Sequence, residues 1–287
     1  MSSTATWTEH DLTLGANSLH YARMGVRSGP PVVLLHGFSD AGLSWVRFAS
    51  DLATEYDLIL PDAAGHGHSS APAQGEALAR AVTDVLGLLD ALGLDQAALV
   101  GHSMGASTAS RVAAANPGRV RAAVLEDPPW RDGPWTPREG TGSRAPLRSP
   151  EWTEWIRSLK TLTPEQRRAV ADQERPEWPA EERPYWIEAK AQFNLDAFVD
   201  PPVPDMGGWR ETVRGMRCPT LLVTADVERG AIVSPELAEE ASRMNPNVRV
   251  VRVPGAGHNI RREQYAAFQS AVRGFLAEIH QAATTRR

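Results

Sequence analysis

The sequence is short of several things, and each shortage excludes something. It has one cysteine, Cys218, so no disulfide can close within the chain and nothing points to an oxidising compartment. Lysine is confined to Lys160 and Lys190. The net charge is -5 with no basic stripe, which leaves nucleic-acid binding without electrostatic support. No apolar run reaches the roughly 18 residues of a membrane span, so no contact with a bilayer is expected. The first ten residues are polar, carry Glu9 in place of a basic stretch and lead into no apolar core. A signal peptide is therefore not expected, and the expected location is cytoplasmic. Neither H-E-x-x-H nor C-x-x-C occurs, and Gly65-His66-Gly67 is too short for a dinucleotide fingerprint. No metal and no cofactor is expected.

What is present is ordinary in bulk and specific in detail. Over 287 residues, 42% are apolar and 23% charged, enough for a sizeable core without staples. Short apolar runs recur at Pro31 to Leu35, Asp57 to Leu60, Ala97 to Val100, Ala122 to Leu125, Thr220 to Thr224 and Val248 to Val253. Runs apolar on both faces suit central strands of a parallel sheet covered by helices. Between them lie stretches of helical period: Leu43 to Ala53, Glu76 to Leu92, Met104 to Asn116, Pro235 to Met244 and Arg261 to Gln281. Asp11 to Leu14 and Leu19 to Ala22 read as an antiparallel lead-in hairpin, which brings the strands to eight. In the last helix, Phe268, Val272 and Phe275 share one side, suited either to the sheet or to a second subunit, so monomer and homodimer both stay open.

The alternation breaks between 128 and 215. This stretch holds most of the 22 prolines and seven of the nine tryptophans: Trp130, Trp135, Trp152, Trp155, Trp178, Trp186 and Trp209. Short amphipathic helices fit Glu151 to Leu159, Pro164 to Gln173 and Glu181 to Phe193, and Arg131 to Pro150 reads as a loop. The expected architecture is α/β: an eight-stranded, mostly parallel sheet with helices on both faces, formed by 1–127 and 216–287, with an inserted helical cap at 128–215.

Three motifs carry chemistry. Gly101-His102-Ser103-Met104-Gly105 matches G-x-S-x-G and sits between an apolar strand and a helix, where a sharp turn can lift a hydroxyl above the sheet. Gly37-Phe38 follows the strand ending at Leu35, so Phe38 and Met104 are the candidate N–H donors for an oxyanion. Pro254-Gly255-Ala256-Gly257-His258 follows the final strand and offers an imidazole on a glycine-rich loop. His10, His20, His36, His66, His68, His102 and His280 are better read as surface or core histidines. Trp130 and Trp186, with Phe38 and Met104, are candidate pocket walls; packing of the cap on itself is an equal reading for the tryptophans.

On these motifs, and on Asp62-Ala63-Ala64-Gly65-His66-Gly67-His68-Ser69, which is similar to a D-x-x-G-x-G-x-S loop, the sequence resembles the α/β-hydrolase superfamily over nearly its whole length. The resemblance implies a nucleophile at Ser103, a base at His258 and an acid in the order Ser, acid, His. The family usually carries its acid in a G-x-x-D stretch, here Ala225-Asp226-Val227-Glu228. Register puts Glu228 first; Asp127, where some relatives place it, and Asp226 are the alternatives. Serine at the elbow argues against the epoxide-hydrolase and haloalkane-dehalogenase branches, which carry aspartate there. The activity implied is hydrolysis of an ester or lactone of a small, hydrophobic molecule. C–C bond hydrolysis, cofactor-free perhydrolysis and a non-catalytic small-ligand receptor are the alternatives.

Overall fold

The computed structural model describes residues 6–71, 77–130, 132, 149–198 and 208–285. One eight-stranded sheet runs through it in the order β1 (Thr8–Leu14), β2 (Asn17–Gly25), β4 (Asp57–Pro61), β3 (Pro31–Leu35), β5 (Ala97–His102), β6 (Val120–Glu126), β7 (Thr220–Thr224), β8 (Val248–Arg252). The β1–β2 and β2–β4 pairings are antiparallel and the rest are parallel. All the apolar runs became strands, and the lead-in hairpin is longer than its apolar residues indicated.

The period-2 alternation of strand side chains divides the core in two. Val33, Leu35 and Leu99 face one layer, formed with α2 (Ala77–Ala91), α3 (Met104–Ala115) and α8 (Pro235–Met244). Val32, Leu34, Ala98 and Val100 face the other, formed with α1 (Val46–Leu52) and α10 (Tyr265–Thr284). Phe268, Val272 and Phe275 are buried there against the sheet of their own chain. The last helical stretch is not continuous: a four-residue helix α9 (Ile260–Glu263) ends at Gln264, whose ψ of 60° restarts the chain as α10.

Between β6 and β7 lie α4 (Pro150–Leu159), α5 (Pro164–Glu174), α6 (Arg183–Gln192) and α7 (Trp209–Gly215). Most of the loop read at Arg131 to Pro150 lies outside the described residues. Helix α5 has a reciprocal cap: Thr163 Oγ1 accepts from the Gln166 N–H, and Gln166 Oε1 accepts from the Thr163 N–H. Thr163→Ala is expected to cost about 1 kcal/mol, read as a fall in denaturation midpoint without loss of fold.

Helix α7 was not foreseen. It packs with α3 and α8 in the main core and brings Trp209 against Trp130, rings 5.2 Å apart and near parallel. The two ends of the insertion are thus clamped together at its root.

Candidate active site

The site is assembled where strands β5, β6 and β8 end on the same edge of the sheet. Ser103 stands between β5 and α3 with φ 51° and ψ −113°, a conformation an L residue adopts only when its surroundings force it, at about 1–3 kcal/mol. The forcing comes from its glycine neighbours. A Cβ on Gly101 would lie 2.3 Å from the Gly105 carbonyl oxygen, and one on Gly105 2.1 Å from that of Leu35. Only with both side chains absent can the helix close onto the strand, and the turn between them has to be tight. The Ser103 N–H donates to Glu126 O at 2.9 Å, which ties the elbow to the next strand.

In the β5–β6 pairing His102 stands opposite Glu126, so Ser103 and Asp127 are the next residues on adjacent strands. Asp127 also has a positive φ, 40°. Its carboxylate is fully buried and accepts three kinds of bond: from His258 Nδ1 at 2.6 Å, from the Ile232 N–H at 2.8 Å and from the Val233 N–H at 2.9 Å. An imidazole bonded this way is fixed as the Nδ1–H tautomer, with Nε2 left as acceptor. Burial on its own pushes the His258 pKa down; the bond to Asp127, the Asp127 charge and the more distant Glu126 and Glu263 outweigh it, and the net shift is upward. Among the described residues no hydrogen bond joins the Ser103 hydroxyl to the His258 ring, the loose geometry common in ligand-free enzymes. His258 is nevertheless at the elbow, its ring 4.7 Å from that of His102.

The carboxylate that meets His258 is that of Asp127, not that of Glu228. Residues Val227–Arg229 form a turn of tight helix with no buried side chain, and Glu228 is exposed. Counting along a strand does not survive that turn. Asp226 faces a different partner: it accepts from the Gly255 N–H and from Arg252, each at 2.8 Å, and so holds the loop leading to His258. The Gly255 N–H is also the main reason its carboxyl lies below the usual range.

Met104 is the first residue of α3, so its N–H has no carbonyl within the helix to bond. Phe38 follows Gly37 beyond β3, and its loop is fastened on two sides. His36 donates from Nδ1 to Gly37 O at 2.8 Å and accepts the Ala63 N–H at 2.9 Å. Asp40 accepts from Lys190 Nζ of α6 at 2.9 Å and from Arg262 Nη2 of α9 at 3.0 Å. The Phe38 ring packs against Trp152, Phe193 and Phe198.

The tryptophans singled out as pocket walls lie elsewhere. Trp130 is stacked on Trp209 at the root of the insertion, and Trp186 is buried inside it among Leu159, Ala171, Trp178 and Ile187. The aromatic residues of the insertion that pack on Phe38 are Trp152, Phe193 and Phe198. An alternation of bulky residues along short helices does not say which face meets the core and which meets another helix.

Sequence reasoning also missed a buried ion cluster behind the site. Asp40, Glu126 and Glu182 are interleaved there with Lys190, Arg261 and Arg262. The run Arg261-Arg262 close behind His258 is the one sequence signal that could have raised it, since two arginines on an otherwise core-facing turn need carboxylate partners.

A strand–serine–helix elbow, an imidazole after the last strand and a carboxylate on the neighbouring strand define a class. A family model described as the alpha/beta hydrolase family matches residues 32–271. The chain belongs to the α/β hydrolase family. The N-formylmaleamate deformylase of Pseudomonas putida KT2440 is 30% identical over 264 residues, which is 90% of this chain and 92% of that protein. An epoxide hydrolase of Caballeronia sordidicola is 40% identical over 117 residues, 40% of this chain. That alignment spans only 35% of the epoxide hydrolase. Among solved structures, the N-formylmaleamic acid deformylase of Pseudomonas putida S16 superposes with a TM-score of 0.73 at 22% identity, covering 92% of this chain and all of that one, a likeness of fold. No helix among the described residues is long and apolar enough to cross a membrane.

Proposed function

We propose that this chain is a serine hydrolase that cleaves a carboxylic ester or lactone of a small molecule through an acyl-enzyme, with Ser103 as nucleophile, His258 as base and Asp127 as the acid. The observation that carries the reading is the 2.6 Å bond from His258 Nδ1 to the buried Asp127 carboxylate, beside a serine held at positive φ. His258 Nε2 takes the Ser103 proton as the hydroxyl attacks the carbonyl carbon. The oxyanion is held by the N–H groups of Phe38 and Met104. His258 then passes the proton to the departing alkoxide, and water releases the acid by the same route. In this reading the insertion between β6 and β7 is the lid, and Trp152 and Phe193 belong to its inner face.

A second reading, cleavage of a small amide such as an N-formyl group, is favoured by one observation: the relative matched over nearly the full length of both chains is a deformylase. The same proton route serves it, with an amine in place of the alkoxide. Epoxide opening is not proposed, because the elbow carries a hydroxyl at 103.

A fluorophosphonate probe tests the shared mechanism. Wild-type protein is expected to be labelled at Ser103, and Ser103→Ala to remain unlabelled. A folded wild type that resists labelling would favour a non-catalytic receptor. Paired p-nitrophenyl esters and p-nitroanilides of matched acyl groups, with lactones and N-formyl amides beside them, then separate the two readings.

A further inference from the structure

The proposed mechanism leaves one buried histidine at the site unused. His102 precedes the nucleophile and is 3% exposed. Its Nε2 lies 2.9 Å from the main-chain oxygen of His258. A carbonyl only accepts, so Nε2 carries the proton and donates. The two imidazoles lie side by side, centroids 4.7 Å apart and planes at 45°. On its other edge His102 Nδ1 faces the oxyanion loop: a Cβ on Gly37 would be 2.6 Å from that nitrogen. The absence of a side chain at 37 is what lets the ring stand there.

We infer that His102 is a positioning residue for the proposed reaction: its Nε2–H holds the His258 main chain, and its ring spaces the base loop from the oxyanion loop. This rests on the assignment of Ser103 and His258 made above.

The base loop is held before His258, where Gly255 N–H donates to Asp226 at 2.8 Å and Gly257 N–H to Glu263 at 2.7 Å. It is held after His258, where Arg261 N–H donates to Glu126 at 2.8 Å. At His258 itself, the described main-chain attachment is the bond from His102. The side-chain bond to Asp127 fixes the ring's Nδ1 but leaves rotation about that contact, and such a rotation moves Nε2 toward or away from Ser103. A second attachment at the carbonyl removes that freedom. Because His102 is covalently next to Ser103, any shift of the elbow carries the anchor of the base with it, so nucleophile and base keep their spacing.

The ring suits the task because it stays neutral. Burial chiefly, then the nearby Arg261 and His258, hold its pKa well below the usual imidazole value. It therefore offers one N–H and no charge beside the base.

The test compares His102→Gln with His102→Met, two side chains of similar size, of which only glutamine brings an amide N–H to that place. His102→Met is expected to lose about 10–100-fold in kcat on the best ester or amide found for the wild type, with KM within about threefold. His102→Gln is expected to recover most of the loss. In proton NMR the downfield Nδ1–H signal of His258 should broaden in the methionine variant and persist in the glutamine one. Equal kcat in wild type and His102→Met, or equal loss in both variants with the His258 signal unchanged, overturns the inference. Should either variant unfold by circular dichroism, His102→Asn against His102→Leu repeats the comparison with smaller side chains. Retained activity of Ser103→Ala would instead sink the underlying assignment, so the two failures are distinguishable.

Discussion

Asp127→Asn is expected to lower kcat by about four orders of magnitude, some 5–6 kcal/mol in the barrier, while leaving the fold intact. The size of the effect follows from the bonds the carboxylate makes. It accepts from two main-chain N–H groups, Ile232 and Val233, and from His258. An asparagine satisfies the two N–H groups with its oxygen and turns its amide N–H toward His258. The imidazole then has to accept at Nδ1 and carry its proton on Nε2, where it faces Ser103 with nothing to receive that serine's proton. The charge that stabilises the imidazolium is lost as well. Glu228→Gln, by contrast, alters an exposed carboxylate and is expected to stay within about a factor of two. Asp226→Asn weakens the hold on Gly255 and should fall between them. A pH profile adds an independent check. The His258 pKa is raised, so the acid limb of kcat/KM in the wild type should lie above the ordinary 6.5. In Asp127→Asn the burial remains and the carboxylate charge is gone, so the residual activity should show that limb at lower pH. A ten-thousandfold loss in Glu228→Gln with little change in Asp127→Asn would reverse the assignment.

The contrast between these carboxylates also marks where sequence reading stops. The sheet was legible because a buried parallel strand has to be apolar on both faces, and the runs ending at Leu35, Val100 and Leu125 could be little else. The elbow was legible because two close backbone approaches need glycine at both 101 and 105. The carboxylate that meets His258 was not, because G-x-x-D counting assumes that the chain leaves β7 in extended form, and residues 227–229 coil instead. What could have favoured Asp127 is sheet order: on the strand beside β5, the residue after Glu126 is the one that comes level with Ser103. The two readings of the insertion's tryptophans stayed open for a different reason. Short helices in an insertion have two apolar duties, toward each other and toward the site, and hydrophobic period alone gives both the same signature. The ion cluster stayed hidden because its members come from four distant segments, and only the fold brings them together.

That cluster gives the largest expected effect on stability. Asp40 lies in the loop that carries Phe38 and is 3% exposed. Burial would raise its pKa, but Arg262, Lys190 and Arg261 hold the carboxyl well below the usual range. Its stabilisation is therefore present above the ordinary carboxylate pKa and is lost as pH falls through the depressed folded value. Asp40→Ala leaves Lys190, Arg261 and Arg262 facing only Glu126 and Glu182. Breaking a buried pair on one side strands a desolvated charge, which costs about 3–5 kcal/mol, read here as a fall in melting temperature of roughly 5–8 °C at pH 7. The loss should not be additive. Lys190→Met on its own strands part of the Asp40 charge. Combined with Asp40→Ala it removes both partners of the 2.9 Å contact and puts an apolar side chain where α6 meets the loop. The double variant is expected to be at least as stable as Asp40→Ala, with a coupling energy of about 1–3 kcal/mol. Strictly additive melting shifts would mean that the two charges act independently, and that their 2.9 Å contact adds nothing to the hold of the insertion on the Phe38 loop.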